Sequence, residues 1–231
     1  MDHYQKIYQQ RAREYQRMIA VEDVDQNLQA ALTEIVGWEE KTILDLGTGT
    51  GRFPILFKDK HSKFIGLDLS HAMLLESAAL QPQHQVHWAL VQADMRHLPV
   101  CSQCADIVIA GWAIGHLRSW FDPRWKLEVA RILEEMQRAV KPHGTLIICE
   151  TFGTGSQAAG PPSQDLAEYY DWLESEWQFS RKVISTDYQF EDVDQAVSYT
   201  EFFFGSALAE MIRKNGWSRL PEWTGIWSKH I

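Results

Sequence analysis

The sequence predicts a doubly wound α/β fold: a mostly parallel seven-stranded sheet with helices on both faces and an antiparallel carboxyl-terminal strand. Three observations carry that expectation. Five short apolar runs of strand type, residues 42–46, 64–67, 86–91, 105–110 and 145–150, are separated mostly by helical stretches, the pattern of right-handed crossovers and a sheet covered on both sides. The segment before the fifth run repeats its apolar residues at helical spacing. The first run passes straight into Gly47-Thr48-Gly49-Thr50-Gly51, where alternating glycines permit positive φ angles and let a ligand lie on the backbone.

The elements follow in order. The chain opens with a helical region, residues 1–36, in which Tyr8 to Tyr15 reads as an amphipathic helix. Ile43, Leu44 and Leu46 form a buried first strand ending beside Asp45. The second strand ends Gly66-Leu67-Asp68, and the third leads into Gln92-Ala93-Asp94-Met95-Arg96. Leu127, Ala130, Leu133, Met136 and Val140 mark a helix that Lys141-Pro142-His143-Gly144 ends and turns into the fifth strand. From Thr151 the composition shifts. Residues 153–163 form a loop of small residues with Pro161-Pro162, followed by a helix at 164–176 and a strand-like stretch at 183–190. Residues 206–215 form a last helix stopped by Gly216, and residues 217–229 close the sheet. The pentapeptide Glu-Asp-Val-Asp-Gln occurs at 22–26 and 191–195; both copies read as helix N-termini, where acids suit the macrodipole.

A chain of 231 residues with 45% hydrophobic and 23% charged residues can bury one sizeable core. One domain, residues 1–231, is therefore expected. A net charge of −9 argues against nucleic acid as the partner, because phosphate contact wants a basic face. No apolar run is long enough to span a bilayer, and the amino terminus lacks a secretory core; the expectation is a cytosolic protein without a membrane partner. Three cysteines suit a reducing compartment, and Cys101-Ser102-Gln103-Cys104 has no second pair to complete a zinc site. The histidines show no metal-binding spacing, so no metal is expected.

The run Thr42 to Phe53 resembles the first motif of class I S-adenosylmethionine-dependent methyltransferases of the small-molecule type. A dinucleotide fingerprint is the rival reading, but Arg52 stands where its third glycine belongs. Asp45 opposes it too, since an acid about 5 Å from a pyrophosphate costs about 3 kcal/mol at an effective dielectric near 20. The same acid suits the sulfonium and ammonium of S-adenosylmethionine. An acid at the tip of the second strand can accept from both ribose hydroxyls, which assigns that role to Asp68.

The resemblance implies the rest of the cofactor set. Asp45 helps hold the methionine end over Gly47, Thr48, Gly49 and Gly51. Leu69 and Met73 accompany Asp68; Asp94 accepts from the adenine amino group, and Met95 packs on the ring. Gly111 ends the fourth strand, and Tyr15 lies on an amino-terminal helix that in many small-molecule members caps the cofactor. The fold it implies is Rossmann-like. His116 stands where related enzymes often carry a histidine, and two roles stay open for it, proton acceptor or a hydrogen-bonding residue that orders the loop. Strand four continues Trp112-Ala113-Ile114-Gly115, without the Asn/Asp-Pro-Pro-Tyr/Phe motif of amino-directed nucleic-acid enzymes.

The expected function is methyl transfer from S-adenosylmethionine to a small-molecule acceptor. Residues 1–36 are expected as a helical cap and 151–204, rich in aromatic residues, as an insertion or lid on the acceptor side. A nicotinamide-dependent oxidoreductase and a non-catalytic S-adenosylmethionine-binding or scaffold protein are the alternatives.

Overall fold

The computed structural model describes residues 2–231. Helices His3–Gln10 (α1), Ala12–Ile19 (α2) and Asn27–Ile35 (α3) precede strand Thr42–Leu46 (β1), and the glycine turn then leads into helix Arg52–Leu56 (α4). Lys63–Asp68 (β2), His71–His84 (α5), Ala89–Gln92 (β3), Ala105–Gly111 (β4), His116–Trp120 (α6), Trp125–Ala139 (α7) and Val140–Thr154 (β5) complete the alternating part. Gln164–Ser175 (α8), Ser180–Ser185 (β6), Tyr188–Gln189 (β7), Val193–Phe204 (α9), Ser206–Asn215 (α10), Arg219–Leu220 (β8) and Glu222–His230 (β9) follow.

Seven strands form one sheet in the order β3-β2-β1-β4-β5-β9-β6. The pairs among β1 to β5 are parallel, and β9 runs antiparallel between β5 and β6. Alternation along the strands explains why both faces carry helices. Leu44, Leu46, Val108, Ala110, Leu146 and Ile148 enter one core, with Val129, Ile132, Leu133 and Met136 of α7. Their neighbours Ile43, Ile107, Ile109 and Ile147 enter the opposite core with Leu28, Ala31 and Leu32 of α3. A third cluster, built from β7, β8, α9 and α10, takes in Met18 of α2.

Both acidic pentapeptides stand at helix N-termini. Asp192 caps α9, its side chain accepting from the Gln195 N–H at 2.7 Å, and Asp23 accepts from the N–H groups of Asn27 and Leu28 at 2.9 and 3.0 Å.

Four expectations need correction. The third strand begins later, at Ala89, and the fifth is longer, because Val140 already pairs with Ala105 before a bulge. His143 takes the left-handed conformation, φ 66°, within that strand. The stretch 183–190 is two strands, since Asp187 accepts from Ser185, Arg219 and the Glu222 backbone and turns the chain between two sheets. Segment 151–204 is divided: β6 belongs to the main sheet, and Tyr169, Tyr170 and Leu173 of α8 are buried in the larger core.

Candidate functional site

Parallel register brings the strand ends to one edge. Leu46 lies opposite both Leu67 and Ala110, and Gly111 lies opposite Cys149, so Gly47 follows beside Asp68 and Gly111, and Trp112 beside Glu150. The strand order reverses between β1 and β4, and the crevice there is where open α/β sheets bind ligands.

The glycine turn shapes that crevice from below. Gly47 has φ 68°, and a Cβ on it would stand 2.6 Å from the Cβ of Ala113, so only glycine lets the turn pass under the β4 loop. Gly49, φ 54°, has open space where a side chain would project, with no atom nearer than 3.9 Å. Asp68 binds the turn to the second strand. Its Oδ2 accepts from the Gly49 N–H at 2.8 Å and its Oδ1 from the Ser70 N–H at 2.7 Å. Burial raises its pKa. Each oxygen keeps a second lone pair for a ligand hydroxyl. The Ser70 hydroxyl donates to the Tyr8 carbonyl at 2.7 Å, which ties α1 to the rim.

A crevice of about 390 Å³ is lined by Gly47, Gly49, Asp68, Leu69, Met73, Asp94, Met95, Gly111, His116 and Tyr15. Ten sequence-assigned residues therefore converge. Leu69 is 64% exposed, an apolar side chain held out at the crevice wall. Asp94 is clamped by the Arg96 guanidinium, at 2.6 Å from Nη2 to Oδ2, which lowers its pKa. Arg96 also reaches Glu128 of α7 at 2.6 Å.

Asp45, Thr48 and Gly51 lie beneath the crevice wall. Asp45 is buried, accepts from the Thr48 hydroxyl at 2.6 Å and leaves its Oδ1 without a partner. Burial, reinforced by the charge of Asp68, pushes its pKa up to about 7 against the Thr48 bond. An orphaned acceptor beside a glycine turn fits a cationic group reached directly or through water.

Beside the crevice lies a chamber of about 640 Å³. The two share Tyr8, Tyr15, Trp112 and His116 as a common wall. Tyr8 and His116 meet at 2.8 Å, oxygen to Nε2, and the imidazole stacks on Trp120 with centroids 5.0 Å apart. Desolvation by these rings pushes the His116 pKa down to about 4, so the ring is neutral at pH 7. Trp112 is a non-glycine residue at φ 50° with the Arg52 guanidinium 4.2 Å above its ring; such strain often marks a functional turn. Arg52 pairs with Glu22, which arrives from the segment after α2.

The far side of the chamber is Gly153, Ser156, Pro161, Pro162 and the start of α8. Of the expected lid, then, the loop and the first turn of α8 face the chamber, with Tyr188, Phe203 and Phe204 beyond. Sequence reasoning missed Tyr8, Trp112, Glu22 and Glu150. The closing Glu of the fifth strand was the one signal available, an acid at a strand tip like Asp45 and Asp68. Among the described residues no cluster of His, Cys, Asp or Glu could hold a metal ion, and no helix is long and apolar enough to cross a membrane. All three cysteines are free thiols.

Comparison with known proteins agrees with this geometry. Residues 44–148 match the family model described as a methyltransferase domain. The chain is 27% identical over 158 residues to the malonyl-[acyl-carrier protein] O-methyltransferase of Xylella fastidiosa, covering 65% of this chain and 48% of that protein. It spans about half the length of the curated relatives it first matches. A structure described as a putative methyltransferase from Bacillus halodurans superposes with a TM-score of 0.57 at 18% identity, over 87% of this chain and 97% of that one. An S-adenosylmethionine-dependent methyltransferase from Aquifex aeolicus gives 0.56 at 16% identity, over 99% and 98%. Strand order, glycine turn and strand-end acids agree with the sequence match: residues 44–148 resemble a methyltransferase domain, on a fold shared with S-adenosylmethionine-dependent methyltransferases.

Proposed function

We propose that the protein transfers a methyl group from S-adenosylmethionine to a small molecule held in the 640 Å³ chamber. The observation that carries this reading is the shared wall. A nucleoside-sized crevice and a second chamber share Tyr8, Tyr15, Trp112 and His116 as one wall, so two ligands can touch there.

In this reading Asp68 holds the ribose, Leu69 and Met73 flank it, and Met95 packs on the adenine. Asp94, already clamped by Arg96, keeps lone pairs for the adenine amino group. Gly47, Gly49 and Gly111 give the backbone its close approach, while Asp45, with Thr48, offers its free oxygen to the cationic end from beneath. Gly51 starts α4 rather than facing the ligand. The cofactor supplies an electrophilic methyl carbon. The chain's own residues position and desolvate. In-line displacement needs little covalent help from the protein, so the close wall and the exclusion of water do most of the work.

His116 is neutral and engaged with Tyr8, which favours a positioning role over proton abstraction. Helices α1 and α2 act as the cap; α3 belongs to the sheet's covering layer. The loop at 153–163 is the mobile part of the acceptor-side cover, its glycines allowing it to open. A net charge of −9 favours a small-molecule partner over nucleic acid. Three free thiols suit a reducing compartment, which supports a cytosolic location.

The test is methyl transfer. S-adenosylhomocysteine should raise the melting temperature, as any ligand selective for the native state does, and methyl-labelled S-adenosylmethionine should label an acceptor from a small-molecule panel. Absence of both would remove the proposal.

A further inference from the structure

The chamber's charges are unevenly satisfied. Glu22 is paired with Arg52, and Asp165 sits 2.9 Å from Arg118, which also meets Asp122 and Glu168. Both guanidiniums on the wall are thus already covered by acids. Glu150 is the exception. It is 5% exposed at the tip of β5, lines the chamber, and has no cationic partner among the described residues. Its Oε1 accepts from the Gly115 N–H at 2.8 Å, a contact that aims the carboxyl across the mouth of the β4 loop. A Cβ on Gly115 would stand 3.1 Å from Oε2, so the loop is fitted closely to this side chain.

A buried acid without a cation is costly unless a ligand supplies one. The surrounding wall suits a cation. Tyr4, Tyr8, Tyr15 and Trp112 present aromatic rings to the chamber, and ring faces attract ammonium groups. Neutral His116 adds no repulsion. A carboxylate acceptor would meet Glu150 with no free guanidinium to hold it.

We infer that the acceptor is a small amine, bound as its ammonium against Glu150, and that Glu150 takes one proton from it before transfer. This rests on the methyltransferase reading above and names its substrate class. The proton passes from nitrogen to the carboxylate, leaving the amine lone pair free. That pair forms the new N–C bond as the C–S bond breaks, its electrons staying on sulfur; the product is a methylammonium, and the Glu150 proton returns to solvent. Burial pushes the Glu150 carboxyl up to about 8, within reach of an ammonium and far from an alcohol.

The experiment uses two matched sets of probes: phenethylamine, 2-phenylethanol and phenylacetate, and hexylamine, hexanol and hexanoate. Each is titrated calorimetrically into the protein saturated with S-adenosylhomocysteine. The amine of each set should bind about tenfold or more tighter than its alcohol and acid, as expected for a charge-assisted contact in a dry site. In Glu150→Gln, an isostere that can still accept from Gly115, that preference should disappear while the S-adenosylhomocysteine Kd stays within about twofold. Methylation of any amine acceptor should fall about 100-fold or more. Amines that bind no better than the alcohols, tightest binding by the acids, or a preference surviving in Glu150→Gln would each overturn the inference and leave the methyltransferase reading standing. Failure of S-adenosylhomocysteine to bind the wild-type protein would overturn both.

Discussion

Replacing Glu150 by glutamine removes a buried titratable carboxyl without removing volume, and its effect on stability can be worked from the structure. Desolvation holds the Glu150 carboxyl up at about 8, against 4.5 in the unfolded chain, despite the Gly115 N–H that favours the anion. A group whose proton is held more tightly when folded contributes nothing adverse below pH 4.5. It destabilises progressively as pH rises, and the cost is complete above about 8. At about 1.4 kcal/mol for each tenfold change in proton affinity, the full effect is at most about 5 kcal/mol. Groups facing Glu150 do not confuse the measurement. Tyr8, Tyr169, Tyr170 and Cys149 all have raised pKa values and stay protonated, and His116 is neutral above about pH 5. Asp45, raised to about 7, titrates in both proteins and cancels from their difference. Urea denaturation of wild type and Glu150→Gln at pH 4.5, 6, 7.5 and 9 is the assay. Glu150→Gln should match the wild type at the lowest pH and become increasingly the more stable above it. Parallel stability curves across the whole range would refute the buried, unpaired assignment.

Asp68→Ala should weaken S-adenosylhomocysteine binding by about 1.5 to 3 kcal/mol, the loss of a carboxylate's ligand hydrogen bonds; an unchanged Kd from calorimetry would show that the ribose lies elsewhere. Gly49→Val should cost about 1 to 2 kcal/mol of folding stability for its positive φ and abolish the thermal shift with S-adenosylhomocysteine, because the new side chain has only the crevice to enter; retention of the shift would count against the crevice. Glu22→Ala should destabilise by about 3 to 5 kcal/mol, since it leaves Arg52 buried and uncompensated; a loss under 1 kcal/mol by urea titration would show that water already reaches the pair. Amide hydrogen exchange in residues 153–163 should be fast in the free protein and slow once cofactor product and acceptor are bound. Slow exchange throughout, unaltered by ligands, would make the loop a fixed wall.

The sheet was legible because its strands are buried on both faces, so apolar runs stood out at 42–46 and 105–110, and because alternating glycines marked the turn out of the first strand. Asp68 was picked out by its place at a strand tip and Asp94 by the family resemblance, and both line the crevice. What escaped was long-range. Nothing local announces that Tyr8 and His116, 108 residues apart, share a hydrogen bond, or that Glu22 finds Arg52 across the glycine turn. The break inside 183–190 was hidden because both halves have strand composition; only Asp187, gathering partners from Ser185 and Arg219, turns the chain. The aromatic run from Tyr169 looked like a lid by composition, yet Tyr169 and Tyr170 face the core, as helical spacing on a sheet-covering helix requires.

The central claim is that the crevice between β1 and β4 binds S-adenosylmethionine. Calorimetric titration of the wild-type protein with S-adenosylhomocysteine, run beside NAD, tests it most directly. Saturable one-to-one binding of S-adenosylhomocysteine and no heat from NAD are expected, because Asp45 beneath the turn would oppose a pyrophosphate and Arg52 stands where a third glycine belongs. Saturable NAD binding, or no binding of S-adenosylhomocysteine, would contradict it.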